Sequence, residues 1–407
     1  MIRRVLFLSN GHGEDLNGSL ILQALQRQDA AIAVAAMPIV GTGNAYRRLG
    51  VEIVGPTQQL PSSGFNYINL ARLLNPINWR RDQNPLNLVR DLLAGLLALT
   101  WGQLRAVQRY SLGCELLFVT GDVVPILFAY LTRQPFMVFL VSTSSYYEGQ
   151  IKLPLLAQLG LRSPRCLKIF TRDAYTARDL HRRGFAKARY AGYPIMDVLT
   201  PTGKDLGLKR TVPTVALLPG SRLPEALENF ALLLQFCDAI GHRCAVQFQA
   251  ALVPGLDQAQ LRSLAERLDW QLTSNSLHHH GIEVRYHYDG FADILHSAQL
   301  VMGMAGTAVE QAVGLGKPVI QLVGEGPQFT YPFAEAQQRL LGPSVITIGT
   351  RSATPNLIRA AAEKAEAILQ DSAYLEQCVQ NGQERVGGPG GAAQIAAELL
   401  EALKGLG

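Results

Sequence analysis

Short apolar runs recur along this chain, each stopped by a turn of small or polar residues and followed by a stretch of helical pattern. In the amino-terminal half they fall at residues 5–9, 31–37, 116–120, 136–141, 167–171 and 188–191. In the carboxy-terminal half they fall at 215–218, 244–249, 283–286, 300–302, 318–322 and 345–347. Runs without polar alternation read as strands covered on both faces, and their alternation with helices implies parallel strands joined by crossovers. The pattern therefore predicts an α/β chain of doubly wound, Rossmann-like sheets. At 407 residues the chain exceeds what a single core usually holds, so two domains of similar size facing a cleft are expected. A Pro/Gly/Lys-rich stretch at 200–213 reads as the linker between domains at 1–199 and 214–386. Residues 387–407 read as a Gly-rich hinge and an amphipathic helix that could return to the first domain.

Two of the turns stand out. One is Leu217-Leu218-Pro219-Gly220-Ser221-Arg222-Leu223-Pro224-Glu225; the other is Gly303-Met304-Ala305-Gly306-Thr307-Ala308-Val309-Glu310-Gln311, closing at Leu315-Gly316-Lys317-Pro318. A buried strand that stops at small residues and passes at once into a helix leaves backbone N–H groups unpaired, a geometry that favours phosphate oxygens. Arg222 would add a cationic fork suited to a diphosphate. The same residues could simply end a strand and start a helix, but two such turns in one half suggest a nucleoside diphosphate held between them.

Composition removes several function classes. Net charge is +5 and the Lys and Arg are not gathered into a stripe, so a nucleic-acid partner is not expected. A mildly basic chain with mean hydropathy +0.11 suits an anionic membrane surface better. Five scattered cysteines, none in a Cys-x-x-Cys pair, argue against a disulfide framework and for a reducing compartment. The apolar start at residues 5–8 ends at Asn10-Gly11-His12-Gly13, too early for a signal peptide, and reads as a first strand. No window reaches the roughly 18 apolar residues of a membrane span.

With these motifs in view, the chain resembles the lipid-A-disaccharide synthase family, and more loosely the lipid II-forming peptidoglycan glycosyltransferase and other two-domain GT-B glycosyltransferases. Residues Leu217 to Glu225 are similar to the family's Leu-Pro-Gly-Ser-Arg-x-x-Glu signature, and Ala305-Gly306-Thr307-Ala308 to its Ser-Gly-Thr-Ala segment. Ala191-Gly192-Tyr193-Pro194-Ile195-Met196-Asp197 resembles its turn between domains, and Asn10-Gly11-His12-Gly13-Glu14-Asp15 takes the place of its Gly-Glu-x-Ser-Gly-Asp loop. There are departures. The family's ribose-gripping Glu falls by spacing on Gln311, with Glu310 one position earlier, and residues 61–109 match poorly where acceptor recognition is expected.

The resemblance implies an inverting transfer of a sugar from a UDP-sugar to a lipid-linked acceptor at the cytoplasmic membrane face. It places the donor on Gly220, Ser221, Arg222, Glu225, Gly306, Thr307 and either Glu310 or Gln311. Tyr288, in His287-Tyr288-Asp289, is a candidate for the base, and Gln328 for the sugar hydroxyls. His12, Glu14 and Asp122 are candidates for the catalytic proton transfer, which needs a base within reach of the acceptor hydroxyl. The plain alternatives are helix starts, with Asp15 and Asp122 as caps. The aromatic, Arg and Leu residues between 65 and 101, with Trp79, Arg80 and Arg81, read as helical core or as a membrane-facing insertion. His278-His279-His280 is expected to be a solvated loop, because consecutive residues do not readily converge on one ion and no Cys or carboxylate cluster joins them in sequence. No metal is expected, since arginine and helix N-termini can stabilise a leaving diphosphate and no Asp-x-Asp motif is present. A UDP-N-acetylglucosamine 2-epimerase and a non-catalytic nucleotide-sugar-binding protein are the alternative readings, the latter kept open by Gln311.

Overall fold

The computed structural model describes residues 3–60, 90–326 and 329–406. It divides into two compact units, Met1–Asp197 with Pro389–Gly407, and Val198–Gly388.

The first unit holds, among its described residues, seven strands: β1 (Arg4–Ser9), β2 (Ala33–Pro38), β3 (Glu52–Ile53), β4 (Leu116–Thr120), β5 (Phe136–Leu140), β6 (Cys166–Thr171) and β7 (Ala188–Tyr190). Their order across the sheet is β3-β2-β1-β4-β5-β6-β7, all pairs parallel. Successive residues of a strand point to opposite faces, and here both faces are covered. Leu6, Leu8, Leu117, Val119 and Val138 pack on one side. On the other, Phe7, Phe118 and Phe170 form a row with ring centroids 5.4 and 6.3 Å apart. That double burial is why these strands read as unbroken apolar runs. Helices used below are α1 (His12–Gln28), α2 (Leu96–Ser111) and α3 (Val123–Thr132).

The second unit carries β8 (Thr214–Leu218), β9 (Gln247–Ala251), β10 (Gln271–Leu272), β11 (Ser276–His279), β12 (Ile282–His287), β13 (Leu300–Gly303), β14 (Val319–Leu322) and β15 (Val345–Ile348). The order is β10-β11-β12-β9-β8-β13-β14-β15. It is parallel from β12 to β15, with β10 and β11 added antiparallel at one edge. Its helices used below are α4 (Glu225–Gly241), α5 (Thr307–Gly314) and α6 (Tyr331–Leu341). The doubly wound reading therefore holds in both units. The short strands β3, β10 and β11 had no sequence signal, having two to four residues each. The run placed at 244–249 begins later, because Arg243 and Cys244 still donate to the Ile240 carbonyl (2.8 and 3.1 Å) and close the end of α4.

The terminal helix Gly391–Leu406 packs on α1 in the first unit, so the chain does return to its first sheet. The Gly192 turn receives it. Gly192 has φ +88°, and a Cβ there would stand 2.6 Å from the Gly391 Cα. Asp197 accepts hydrogen bonds from the Gly390 N–H and, at 2.8 Å, the Ala392 N–H, a carboxylate at a helix start where the dipole favours it. Glu398 of that helix pairs with Lys168 and Arg189 at 2.7 and 2.9 Å. Segment 200–213 is likewise tied down: Asp293 accepts from the N–H groups of Thr202, Gly203 and Lys204 and from the Thr202 hydroxyl.

Candidate functional site

The two turns singled out in the second half lie side by side. Strand β8 passes through α4 to β9 on one side, while its other neighbour is β13, so strand order reverses between β8 and β13. Ligands of doubly wound sheets bind beyond the carboxyl ends of strands at such a point. Leu218 is in register with Gly303, and the Met304 N–H donates to the Leu218 carbonyl at 2.8 Å. Gly220, at φ +103°, lies so close that a Cβ would stand 3.0 Å from the Met304 carbonyl oxygen. This is one of the places where glycine is required, both by conformation and by close approach. Ser221 and Arg222 are exposed, and neither α4 nor α5 is capped by the side chain of its N-cap residue.

Buried amides that sequence reasoning did not select hold these turns. Asn229, one helical turn after Glu225, donates its Nδ2 to the Pro219 carbonyl at 3.0 Å and is 3% exposed. Behind the second turn runs a hydrogen-bonded chain through the buried Gln321 and Gln337: the Thr347 hydroxyl donates to Gln321 Oε1 (3.2 Å), Gln321 Nε2 to Gln337 Oε1, and Gln337 Nε2 to the Gly306 carbonyl (2.9 Å). Such a chain orients the backbone of Gly306 from behind. The available signal was a polar residue on an otherwise apolar strand or helix face.

Glu225 is turned inward rather than to solvent. It is 8% exposed, and its Oε1 accepts the Phe329 N–H at 2.6 Å. It thus positions the loop after β14, where a Cβ on Gly326 would come within 2.3 Å of the Glu225 side chain. Thr307 and Glu310 are half-buried while Gln311 is 4% exposed, so of the neighbouring pair Glu310 is the more accessible. Tyr288 is 38% exposed, with its hydroxyl donating to the Leu256 carbonyl at 2.7 Å and its ring edge-on to Tyr286. Gln328 lies outside the described residues.

In the first unit the order reverses between β1 and β4, and the three catalytic candidates follow those two strands. Asn10 Nδ2 donates to Asp122 Oδ1 at 2.9 Å, joining the two loops. Asp122 occupies the N-cap position of α3 but makes no capping hydrogen bond with its side chain, so the expected capping use is not the one realised. Glu14 is half-buried and accepts a hydrogen bond from the Ser142 hydroxyl after β5. His12 is exposed and its ring stands over Gly41, where a Cβ would lie 3.3 Å from His12 Cε1.

Asp15, expected to cap α1, does not. Gly11 is the N-cap, and Asp15 points inward, accepting a 2.5 Å hydrogen bond from the Ser9 hydroxyl. Burial, against the opposing effect of the Ser9 bond and with a further push from the Glu14 charge, raises its pKa from 3.8 to about 7. Around it, Asn10 Oδ1, Asp15 Oδ2, Asn17 Oδ1 and Thr120 Oγ1 are buried with no hydrogen-bond partner among the described residues. A cluster of this kind is a polar cradle suited to water or ligand hydroxyls. A carboxyl whose folded pKa is raised adds stability below its unfolded pKa and loses it as pH climbs through the folded value. Wild-type stability is therefore expected to fall between about pH 4 and 7 relative to Asp15→Asn, by up to about 4 kcal/mol. Thermal or urea melts of the two proteins across that range would show the gap; parallel curves would refute it.

The histidine tract is corrected by the structure. His278 and His279 lie in β11, not in a solvated loop, and a carboxylate does join them, Asp238 standing 3.0 Å from His279. Trp79, Arg80 and Arg81 lie outside the described residues. Of the adjoining segment, α2 buries Leu96, Leu99, Gln103 and Val107, while Leu93, Leu97 and Trp101 face outward at 82, 65 and 56% exposure. Leu97 and Trp101, four residues apart on α2, share one outward face, and the Arg105 guanidinium sits over the Trp101 ring; Leu93 precedes the helix, beyond its N-cap Gly95 at φ +91°. Among the described residues no helix is long and apolar enough to cross a membrane.

No family model matches this chain. Among curated proteins it is 24% identical over 250 residues to the lipid-A-disaccharide synthase of Syntrophus aciditrophicus. It is 25% identical over 242 residues to that of Myxococcus xanthus. Each match takes in 55% of this chain and 60% of the relative, so the chain spans about 60% of the length of the curated relatives it matches. Solved structures similar over nearly the whole fold include a spinosyn rhamnosyltransferase complexed with thymidine diphosphate, with TM-score 0.61, 14% identity, and coverage of 98% of this chain and 100% of that one. The glycotransferase of kitacinnamycin gives 0.60, 14%, and 99% of each chain. A UDP-GlcNAc 2-epimerase from Neisseria meningitidis bound to UDP-GlcNAc gives 0.56, 14%, and 98% and 100%. The chain is thus a distant sequence relative of the lipid-A-disaccharide synthases, with the two-sheet fold of GT-B glycosyltransferases and UDP-sugar epimerases.

Proposed function

We propose that this protein is a glycosyltransferase that moves a sugar from a UDP-sugar to a lipid-linked acceptor at the cytoplasmic face of a membrane. The observation that carries the reading is the pair of adjoining turns at the β8/β13 reversal, in a chain distantly similar to the lipid-A-disaccharide synthases. In this reading the backbone of Gly220, Ser221, Gly306 and Thr307 meets the diphosphate, and Arg222 neutralises it as it departs. Glu310, the more accessible of its pair, takes the ribose diol, with Gln311 behind it. Tyr288 offers a ring face to the uracil, and Gln328 belongs with the donor sugar. Glu225, Asn229 and Gln337 are positioning residues.

The acceptor hydroxyl attacks the anomeric carbon as the bond to the UDP oxygen breaks, inverting that centre, and its proton passes to a base. Glu14 and Asp122 are the candidate bases, and His12 the third. Asp15, with a pKa near neutrality, can also exchange a proton at working pH. The diphosphate's charge is met by Arg222 and helix starts, so turnover is expected to survive chelators. The decisive experiment compares membrane lipids by mass spectrometry from cells with and without the protein, then repeats the transfer with purified protein and the lipid that changes. An unchanged lipid profile, with no UDP release on adding membranes, would reject the proposal.

The epimerase reading is favoured by one observation, the likeness to the Neisseria enzyme. It predicts conversion of UDP-N-acetylglucosamine to its 2-epimer with no acceptor present, which nuclear magnetic resonance would detect directly.

The outward stripe of Leu97 and Trp101, with exposed Leu93 just before the helix, supports contact with the membrane surface. The protein is expected to sediment with anionic liposomes at low salt and to release as salt rises. Leu97→Asp with Trp101→Asp should abolish this. Equal sedimentation of the variant would assign the stripe another task.

A further inference from the structure

Far from either turn of the second unit, three metal-ligating side chains meet, with a fourth beside one of them. Strands β11 and β12 are joined by a tight turn in which His279 is in register with Ile282 and the two residues between them are His280 and Gly281. Both have positive φ, +45° and +83°, the conformation of a primed hairpin turn. Along a regular strand consecutive side chains would diverge. In this turn the backbone reverses instead, and the His279 and His280 rings lie together with centroids 3.9 Å apart. The sequence-based objection that neighbouring histidines cannot converge does not apply to a primed turn.

The other two groups come from the end of α4. Asp238 Oδ1 is 3.0 Å from His279 Nδ1 and 3.4 Å from Nε2 of His242, one helical turn on. Asp238, His279 and His280 each present a ligand atom within 4.8 Å of the others. Ligands at about 2.0–2.2 Å from a tetrahedral zinc ion stand about 3.3–3.5 Å apart, so small rotations bring these donors onto one sphere. His279 is held for the purpose, stacked on the buried Trp270 at 5.2 Å.

We infer that Asp238, His279 and His280, with His242 as fourth ligand, form a binding site for a divalent transition-metal cation of the zinc class. Imidazole with one carboxylate suits Zn²⁺, Ni²⁺ or Cu²⁺; Mg²⁺ and Ca²⁺ require oxygen shells that these residues do not supply. The site lies thirteen residues along α4 from Glu225, about 20 Å from the donor turns. It therefore has no part in glycosyl transfer. It would staple the edge hairpin to the end of the helix behind the sheet, and its occupancy would set how firmly that edge is held.

The test uses the full chain, stripped with a chelator and titrated with Zn²⁺ by calorimetry. Saturable binding at a single site and a melting temperature that rises with Zn²⁺ and falls again with chelator are expected. Asp238→Asn and His280→Asn should each weaken binding by about tenfold or more. Asparagine tolerates positive φ, so the second variant keeps the turn. Co²⁺ in place of Zn²⁺ should give visible bands without thiolate charge transfer, separating this site from the cysteines. No saturable binding, or the same affinity in both variants, would overturn the inference and leave Asp238–His279 a hydrogen-bonded pair.

Discussion

Arg222→Ala is expected to lower UDP affinity by roughly 30-fold to several thousandfold, the equivalent of about 2–5 kcal/mol for a charge-assisted contact desolvated on binding. The side chain is exposed in the free protein, so its removal should leave the melting temperature almost unchanged. Lysine at this position should recover only part of the loss, because a point charge cannot reproduce the two-pronged guanidinium contact. Calorimetry with UDP on the folded variant gives the answer, and parental affinity would remove the diphosphate from this turn. Glu225→Ala is a useful companion: it should weaken binding indirectly, by releasing the loop held through the Phe329 N–H.

Loss of the proton acceptor should be as severe but of a different kind. At least one of Glu14→Gln, Asp122→Asn and His12→Ala is expected to lose about two to four orders of magnitude in turnover. All three should bind UDP like the parent, because a base acting in the transition state does not contribute to donor affinity. Glu14 and Asp122 are each tied to a neighbour, Ser142 and Asn10, so the amide variants preserve shape while removing charge. The measurement is paired, UDP titration and then transfer to the acceptor identified from the lipid comparison. Near-parental turnover in all three would move the base elsewhere, with Asp15 the next residue to change. Loss of UDP binding in all three would mean the donor had been assigned to the wrong unit.

Periodicity revealed most of the sheet because parallel strands are covered on both faces and have no polar side to blur them. β4 and β5 agree with their apolar runs almost to the residue. β3, β10 and β11 did not show, since a strand of two to four residues at or beside a sheet edge is defined by its partner rather than by its own composition. The two turns at the β8/β13 reversal were legible because glycine at positive φ and a small-residue helix start are local requirements. Their supports, Asn229, Gln321 and Gln337, were not, because a buried amide gains its meaning only from the carbonyl it reaches. Asp15 shows the same limit in the other direction. Its position suggests a cap, and only burial, working against the Ser9 hydrogen bond, turns it into a near-neutral acid.

From its sequence alone this chain was determined to be doubly wound, with paired phosphate-type turns in its second half, since those properties rest on side-chain period and backbone freedom. The tertiary structure alone decided which strands stand at each reversal, and so which loops share a site, because strand order is set by packing of residues far apart in the chain. It also decided that Glu225 faces inward and that Glu310 is the more accessible of its pair. His279 and His280 meet Asp238 for the same reason: a hairpin turn and a helix end, some forty residues apart, converge only once the sheet edge has folded.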